Sequence, residues 1–383
     1  MPFLVALAIV AVSVIAITYK TYMGYGEYPW YMKLGVLVLL VFSMAAPFVS
    51  YILHHNFPNS FISGYTKWFY FLFGFVFILF LITLLRDVIW TIVDVIRRVP
   101  LSELKDSALL QKANIWTFII SLLICFYGYY EAEKQADVVT YAISSPKIKT
   151  ASRVVMLSDL HLDIDAPVKY VKELVKRVND LKPDAIVLVG DIIDNKPLRL
   201  EEQMKELQKL KAKEGVYVVL GNHEFYNSAF DWGLQFAQMK FNFLNNYGLK
   251  VKDSGLYIAG IPDINSAKDA KMPIKIDNAL YFASKDSYVI MLSHAPLVAE
   301  GINKDNVDLI LSAHTHGGQV FPFHYFSKQS NQGRLAGFYD IDGVKMYVSR
   351  GTRYWGVPMR IFAPSEITVF DFKPEKTDGQ ASK

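Results

Sequence analysis

The fold is decided by the stretch AIVLVGDIID, residues 185–194, in which five apolar residues run directly into a Gly-Asp-x-x-Asp cluster. Such a short, wholly apolar run is typical of a strand that is buried on both faces of a parallel sheet. Apolar runs and helical patterns alternate around it, at residues 154–157, 168–181, 185–189, 200–212 and 216–220. This βαβαβ order predicts an α/β fold. Later strand-like runs include a hairpin with the turn Asp342-Gly343, so we expect mixed rather than wholly parallel sheets.

Polar clusters follow five predicted strands at their carboxyl ends, the edge at which open α/β sheets bind ligands. The clusters are Ser158-Asp159-Leu160-His161, Gly190-Asp191-Ile192-Ile193-Asp194, Gly221-Asn222-His223-Glu224, Ser293-His294-Ala295-Pro296 and Ser312-Ala313-His314-Thr315-His316-Gly317-Gly318. One histidine after a strand is usually a hydrogen-bonded loop residue, but these clusters hold five of the eight histidines. Alternate side chains of an extended segment point the same way, so both members of Asp-x-His or His-x-His reach one site. The residue types suit divalent manganese, iron or zinc.

These five clusters, in this order, resemble the motifs of the calcineurin-like metallophosphoesterase family over about residues 153–372. Further motifs make the chain similar to the bacterial, membrane-associated or exported branch of that family: Ser349-Arg350-Gly351, Pro358-Met359-Arg360 and Pro364-Ser365-Glu366-Ile367. The resemblance implies a four-layer αββα sandwich with mixed sheets and a metal-dependent phosphoesterase activity.

The resemblance also implies how two divalent metal ions, of manganese, iron or zinc, are held. The first ion is assigned to Asp159, His161, Asp191 and His316. The second shares Asp191 and is completed by Asn222, His294 and His314. Two cations roughly 3.5–4 Å apart need a shared anionic ligand, and together they activate a bridging hydroxide that attacks phosphorus in line. Asp191 is therefore predicted to be catalytic, as is His223, which is placed to protonate the leaving oxygen or to stabilise its charge.

Other polar residues near the clusters keep two interpretations each. Asp194 is expected to orient a ligand histidine through its second ring nitrogen, or to cap the turn after the strand. Glu224 is expected to cap the helix that follows, or to orient His223. Candidates to frame a phosphate or a lipid headgroup are Arg350, Arg353, Tyr354, Trp355 and Arg360, and ordinary packing is the alternative for the two aromatic residues.

The first 130 residues contain four strongly apolar stretches without Asp, Glu, Lys or Arg. They lie at residues 1–19, 34–53, 68–85 and 113–130, and each approaches the roughly 20 residues that a helix needs to cross a bilayer. We predict an all-α domain of four transmembrane helices in residues 1–135, a linker at 136–151, the catalytic domain at 152–372 and a disordered tail at 373–383. A cleaved signal peptide is the alternative for the first stretch, but its first cation, Lys20, follows the stretch instead of preceding it. Residues 87–96 are predicted either to lie at the interface or to lengthen the third helix.

The orientation of the domain follows from the cations of the short loops. The third loop holds Arg86, Arg97, Arg98, Lys105 and Lys112, whereas the second holds only Lys67. The third loop is therefore predicted to be cytoplasmic, which places the catalytic domain on the extracytoplasmic face of the cell membrane.

Composition limits the remaining function classes. The net charge of +4 is small and mixed, so no nucleic-acid surface is indicated, and Cys125 as the only cysteine excludes an intramolecular disulfide. We expect a membrane-anchored hydrolase of a phosphomonoester or phosphodiester; the anchor favours a lipid or lipid-linked substrate, or else only localises the enzyme. The alternatives are a non-catalytic metal-binding scaffold and a regulatory domain on a membrane module. The sequence does not indicate an oligomeric state.

Overall fold

The computed structural model describes residues 2–24, 27–56, 65–97 and 107–375. It divides into two compact units, one of Met1–Tyr130 with Gly356–Met359 and the other of Glu131–Trp355 with Arg360–Lys383.

The first unit is built from long apolar helices. They are α1 (Pro2–Met23), α2 (Trp30–Asn56), α3 (Thr66–Arg97) and α4 (Ser107–Glu133). Within the described residues, three segments are long and apolar enough to cross a membrane, namely Trp30–Ser50, Thr66–Arg97 and Ala108–Glu133. Three of the expected spans are thus confirmed as candidates, whereas the described apolar part of α1, Ala8–Met23, is shorter, so the fourth span stays a prediction. Residues 87–96 continue α3 as one helix.

The second unit contains two mixed six-stranded sheets. The strands are β1 (Asp137–Ser145), β2 (Ser152–Leu157), β3 (Ala185–Val189), β4 (Val216–Val219), β5 (Asn242–Phe243), β6 (Tyr247–Lys250), β7 (Leu256–Gly260), β8 (Tyr288–Leu292), β9 (Leu309–Ser312), β10 (Gly337–Ile341), β11 (Val344–Val348) and β12 (Glu366–Pro374). The first sheet has the order β1-β12-β2-β3-β4-β5 and the second β10-β11-β9-β8-β7-β6. In each sheet a run of parallel strands is joined to antiparallel neighbours, as the sequence predicted.

In the described part of this unit, seven α-helices accompany the two sheets, and several of them pack on the outer sheet faces. They are α5 (Val168–Asp180), α6 (Glu201–Leu207), α7 (Asn222–Tyr226), α8 (Ala229–Gln238), α9 (Ile264–Asp269), α10 (Ile276–Leu280) and α11 (Phe323–Ser330). Helix α5 buries Val171, Leu174, Val175 and Val178, the spacing of one helical face, against the outer face of the first sheet. The inner faces of the two sheets share a second core, and α10 packs on the outer face of the second sheet. The predicted αββα sandwich is confirmed.

The predicted linker was wrong for residues 137–145, which form the edge strand β1. This strand pairs in parallel with β12, from Asp137 opposite Glu366 to Ser145 opposite Pro374. The exposed and half-buried residues alternate along it, and Tyr141 and Ile143 pack against the core between the sheets. The period of two marks a half-buried strand. Strand β12 also reaches Pro374, two residues past the predicted domain end, and residues 376–383 of the predicted tail lie outside the described part.

Candidate metal centre

The candidate site lies where five parallel strands end. Strands β2, β3 and β4 of the first sheet and β8 and β9 of the second each run into one of the polar clusters. The backbone of the clusters is interlocked, since Asp159 donates its N–H to the carbonyl of Gly190, and His161 donates to that of Asp191. Adjacent strand ends thereby bring side chains that are distant in sequence to one edge.

One group of ligating atoms comes from Asp159, His161 and His316, whose candidate atoms lie within 4.8 Å of one another. His161 Nε2 is 3.0 Å from His316 Nε2, and His316 Nε2 is 3.7 Å from Asp159 Oδ1. All three residues are buried. Burial lowers the pKa of His316 well below its usual value, and His161 and Arg360 act in the same direction, so His316 is neutral, as a metal ligand must be.

A second group comes from Asp191, His294 and His314. The fully buried His294 uses Nδ1 to donate to the carbonyl of Val189 at 2.8 Å and turns Nε2 towards Asp191 Oδ2 at 3.1 Å. Such a backbone partner fixes the ring and leaves the other nitrogen for a ligand. Burial would raise the pKa of Asp191, but His294, and then His223 and His161, hold it well below its usual value. Asp191 is therefore ionised.

Asp191 lies between the two groups. Its Oδ2 is 3.1 Å from His294 Nε2 in one group and 3.8 Å from His161 Nε2 in the other. Its Oδ1 accepts the backbone N–H of His223 at 2.9 Å. One carboxylate thus reaches both halves of the site, which is the position that a ligand shared by two cations needs.

Among the predicted metal ligands, three buried atoms have no hydrogen-bond partner in the described part of the chain: Asp159 Oδ2, Asn222 Oδ1 and His294 Nε2. The 3.1 Å approach of His294 Nε2 to Asp191 Oδ2 is a close contact and not a hydrogen bond. An unsatisfied buried polar atom costs about 1–3 kcal/mol, so native structures rarely keep one without a reason. Two of these atoms are oxygens and one is an imidazole nitrogen, the donors that divalent cations prefer. The residues therefore fit bound metal ions.

The backbone at this site is held in an unusual conformation. Five predicted ligands have positive φ: Asp159 (49°), His161 (41°), Asp191 (51°), His314 (71°) and His316 (51°). Residues other than glycine seldom adopt this region, and Asp and His tolerate it better than most. The backbone here is also closely packed, because a Cβ at Gly190 would lie only 2.5 Å from His294 Nδ1. Strain of this kind typically collects at functional sites.

Asp194 holds two imidazole rings at once. Its Oδ1 lies 2.8 Å from His161 Nδ1 and 2.7 Å from His223 Nδ1. Both rings must present N–H to this carboxylate, so both turn Nε2 towards Asp191. Burial alone would lower the pKa of His223, but Asp194 and then Asp191 raise it to about 9. Asp194 thus orients a predicted ligand and also keeps the predicted acid protonated.

Glu224 caps a helix, as one of the two interpretations predicted, and also binds the loop after β3. This fully buried carboxylate accepts the N–H of Gly221 at 2.7 Å, which caps helix α7, and it does not bond the His223 ring. It also accepts the N–H groups of Asp191 at 3.0 Å, Ile192 at 2.7 Å and Ile193 at 3.2 Å. One side chain therefore fixes the loop that carries Asp191 to the loop that carries Asn222.

The arginines that were candidates to frame a phosphate are engaged within the protein. The fully buried Arg360 donates to the carbonyls of Arg350, Arg353, Ala363 and His316. Arg353 donates to the carbonyl of His161 at 2.9 Å and stacks on Tyr354, and Arg350 pairs with the buried Glu366 at 2.7 Å. The structure does not support the expectation for these three cations, because each one binds carbonyl or carboxylate groups of the protein itself.

Two exposed aromatic rings flank His223. The ring of Trp355 lies 5.6 Å from the His223 ring and that of Tyr226 lies 5.3 Å from it, and both aromatic side chains are more than half exposed. Trp355 had been considered for substrate contact, whereas Tyr226 was missed. The signal was its spacing, since Tyr226 follows His223 by three residues and the two share one face of helix α7.

Comparison with known proteins agrees with the fold and places the chain in a family. A family model described as calcineurin-like phosphoesterase matches residues 152–318. An uncharacterised metallophosphoesterase of Campylobacter jejuni is 34% identical over 268 residues, which cover 67% of this chain and 69% of the relative. A transmembrane protein with a metallophosphoesterase domain from Danio rerio is 30% identical over 272 residues, covering 67% of this chain and 62% of the relative. A Bacillus subtilis metallophosphoesterase is 31% identical over 261 residues, covering 64% and 90%.

A sandwich of two mixed sheets with clustered Asp and His side chains at its strand ends defines a metal-dependent phosphoesterase. The chain belongs to the calcineurin-like metallophosphoesterase family. Members of this family use divalent metals to hydrolyse phosphate esters. Among the described residues of this chain, three helices are long and apolar enough to cross a membrane.

Proposed function

We propose that the chain is a membrane-anchored phosphohydrolase that works with two divalent metal ions. The observation that carries the proposal is the position of Asp191, whose Oδ2 approaches ligand atoms of both groups. One ion would be held by Asp159, His161, Asp191 and His316, and the other by Asp191, Asn222, His294 and His314. When bound, two such cations lower the pKa of a water between them and stabilise charge on the phosphoryl oxygens.

The protein residues supply orientation and a proton. Asp194 accepts from Nδ1 of His223, so the Nε2–H of the His223 imidazolium is available to the leaving oxygen. General acids in this position typically contribute about 10²–10⁴-fold. Glu224 keeps the Asp191 loop in place, and the rings of Trp355 and Tyr226 lie beside His223.

The substrate class that we propose is a phosphomonoester or phosphodiester of a lipid or lipid-linked molecule. The anchor supports this choice, because it holds the domain at a surface where lipids are concentrated. The cations of the third helical loop support an extracytoplasmic catalytic domain in the cell membrane. Manganese, iron and zinc all suit the donor set.

Hydrolysis of bis-p-nitrophenyl phosphate and of p-nitrophenyl phosphate by the purified full chain with Mn²⁺ tests the chemistry. Asp191→Asn removes the shared anionic ligand and should abolish both activities, whereas the exposed Asp180→Asn on helix α5 should leave them unchanged. Equal rates for Asp191→Asn and the unaltered chain would refute the metal site. Lipid profiles of cells with and without the protein would identify the substrate.

The proposed orientation is tested by measuring whether an added protease cleaves the catalytic domain in cells whose outer membrane or cell wall has been opened. Cleavage within residues 152–372 without permeabilising the inner bilayer is expected. Full protection of the domain from the protease would indicate the opposite orientation and would leave the proposed chemistry unaffected.

A further inference from the structure

Exposed aromatic residues surround one side of the metal-site edge. The residues Phe321, Phe323, Tyr325, Phe326 and Phe362 are all more than 40% exposed, and we call them the aromatic rim. The rings of Phe321 and Phe362 are 6.2 Å apart, those of Phe321 and Tyr325 are 6.1 Å apart, and those of Phe323 and Phe326 are 6.3 Å apart. Isolated exposed aromatics need no explanation, but here the rings form two groups, Phe321 with Tyr325 and Phe362, and Phe323 with Phe326, which together make a larger apolar surface than scattered residues do.

The rim is attached firmly to the site. It is carried by helix α11 and by the two loops after His316 and Trp355, which are joined by a bridge between Val320 and Ile361. Gln319 exchanges two hydrogen bonds of 2.9 Å with the backbone of Trp355. The rim therefore keeps a fixed position relative to the metal ligands.

The sequence segments that carry the rim contain cations but no acids. No Asp or Glu occurs between Asp308 and Asp340 or between Asp342 and Glu366. Lys328 on helix α11 is exposed, four residues from His324 and next to the rim in sequence. Aromatic residues with neighbouring cations and no acids match the headgroup region of a bilayer that contains anionic lipids.

The chain also keeps the domain near a bilayer. Helix α4 ends at Glu133 and β1 begins at Asp137, so three residues join the last candidate span to the first sheet. At about 3.5 Å per extended residue, such a tether cannot carry the domain far from the membrane surface.

We propose that the aromatic rim inserts into the lipid headgroup region, so that the metal-site edge opens towards the bilayer. A lipid-borne phosphate ester would then reach the site without leaving the membrane. The rim would be a lipid-binding surface of the domain itself, additional to the helices. This inference depends on the anchor and not on the proposed reaction.

Spin labels test the insertion in the full chain, reconstituted in nanodiscs of phosphatidylethanolamine and phosphatidylglycerol. In a Cys125→Ala background, Phe326→Cys and Phe362→Cys place labels on the rim. Tyr281→Cys is the matched control, because Tyr281 is 77% exposed and precedes β8, at the opposite edge of the sheet from His294. The ratio of collisions with oxygen to collisions with a water-soluble nickel chelate measures depth.

We expect that ratio to be several-fold higher at both rim positions than at position 281. Equal ratios at the three positions would overturn the proposal. Dipolar broadening between labels at position 326, lost on dilution with unlabelled chain, would overturn it in favour of a second copy. Two independent rim positions guard against a substitution that disturbs folding. The measurement needs no turnover, so its failure is distinct from failure of the proposed reaction.

Discussion

Removing Asp194 should disable two histidines together. In Asp194→Ala, His161 and His223 both lose the carboxylate oxygen that lies 2.8 Å and 2.7 Å from their Nδ1 atoms. A hydrogen bond to a charged group contributes about 1.5–3 kcal/mol, and a lost outer partner typically costs about 10–100-fold in metal affinity or activity. With one such loss at each ring, we expect kcat/KM to fall about 10²–10⁴-fold.

Asp194→Asn separates charge from position. Both rings contact the same oxygen, Oδ1, and an amide oxygen in its place still accepts from both. The charge that raises the pKa of His223 is lost, however, so the imidazolium loses its proton at lower pH than before. The alkaline limb of the kcat/KM profile should therefore move to lower pH, while the rate on the acid side of that limb falls less than in the alanine variant.

A double-mutant cycle with His223→Ala decides whether the coupling is real. In that background Asp194→Ala can remove only the share that acts through His161, about 10–100-fold. Rates are measured on bis-p-nitrophenyl phosphate at several pH values, with metal content determined by mass spectrometry. If the two single losses multiply fully in the double variant, Asp194 does not act through His223 and the reasoning fails.

Three further predictions concern the supports of the site. In Glu224→Gln, one amide oxygen replaces two oxygens that accept four N–H groups, so stability should fall by about 3 kcal/mol, seen as a lower Tm in detergent; an unchanged Tm would contradict this role. Arg360→Met removes a donor from four carbonyls, one of which, that of His316, keeps the N–H of Gln319 as another donor, and should lower the Tm at least as much, with Arg360→Lys intermediate. A Tm that does not fall would show that the carbonyls find other partners. Gly190→Ala should weaken metal binding about 10–100-fold, because the new methyl group meets His294. The control Gly333→Ala has a similar positive φ but open space around it, and it should only cost about 1–2 kcal/mol of stability. Equal metal binding in the two variants would exclude the contact with His294.

The αββα layers and the gathering of the polar clusters could be predicted because their signals are local. A wholly apolar run such as residues 185–189 by itself indicates a buried strand. A polar cluster directly after such a run lies at the end of that strand, whichever strands pair with it. Strand β1 was harder. Its alternating pattern is diluted by serine and threonine, since it lies at a sheet edge, and only pairing with β12, more than 200 residues later, makes it a strand.

The supports of the site could not be read in the same way. Glu224 bonds backbone groups about 30 residues earlier, and Arg360 bonds carbonyls whose positions depend on the whole loop. Backbone acceptors carry no residue-type signature, so the sequence shows the cation but not its partner. Three arginines near a predicted phosphate site therefore looked like substrate groups, although two of them, Arg353 and Arg360, are buried and all three bind acceptors within the protein.

The left-handed backbone at five predicted ligands has a consequence for how such proteins can diverge. At about 1 kcal/mol each, the strain approaches the net stability of an ordinary domain, so the rest of the sandwich must hold these residues in place. Metal binding stabilises the folded state and so offsets part of this strain. A descendant that no longer needed turnover would gain stability by placing glycine at positions such as Asp159 or Asp191. The five residues are therefore positions at which glycine would relieve backbone strain and at the same time remove a predicted ligand.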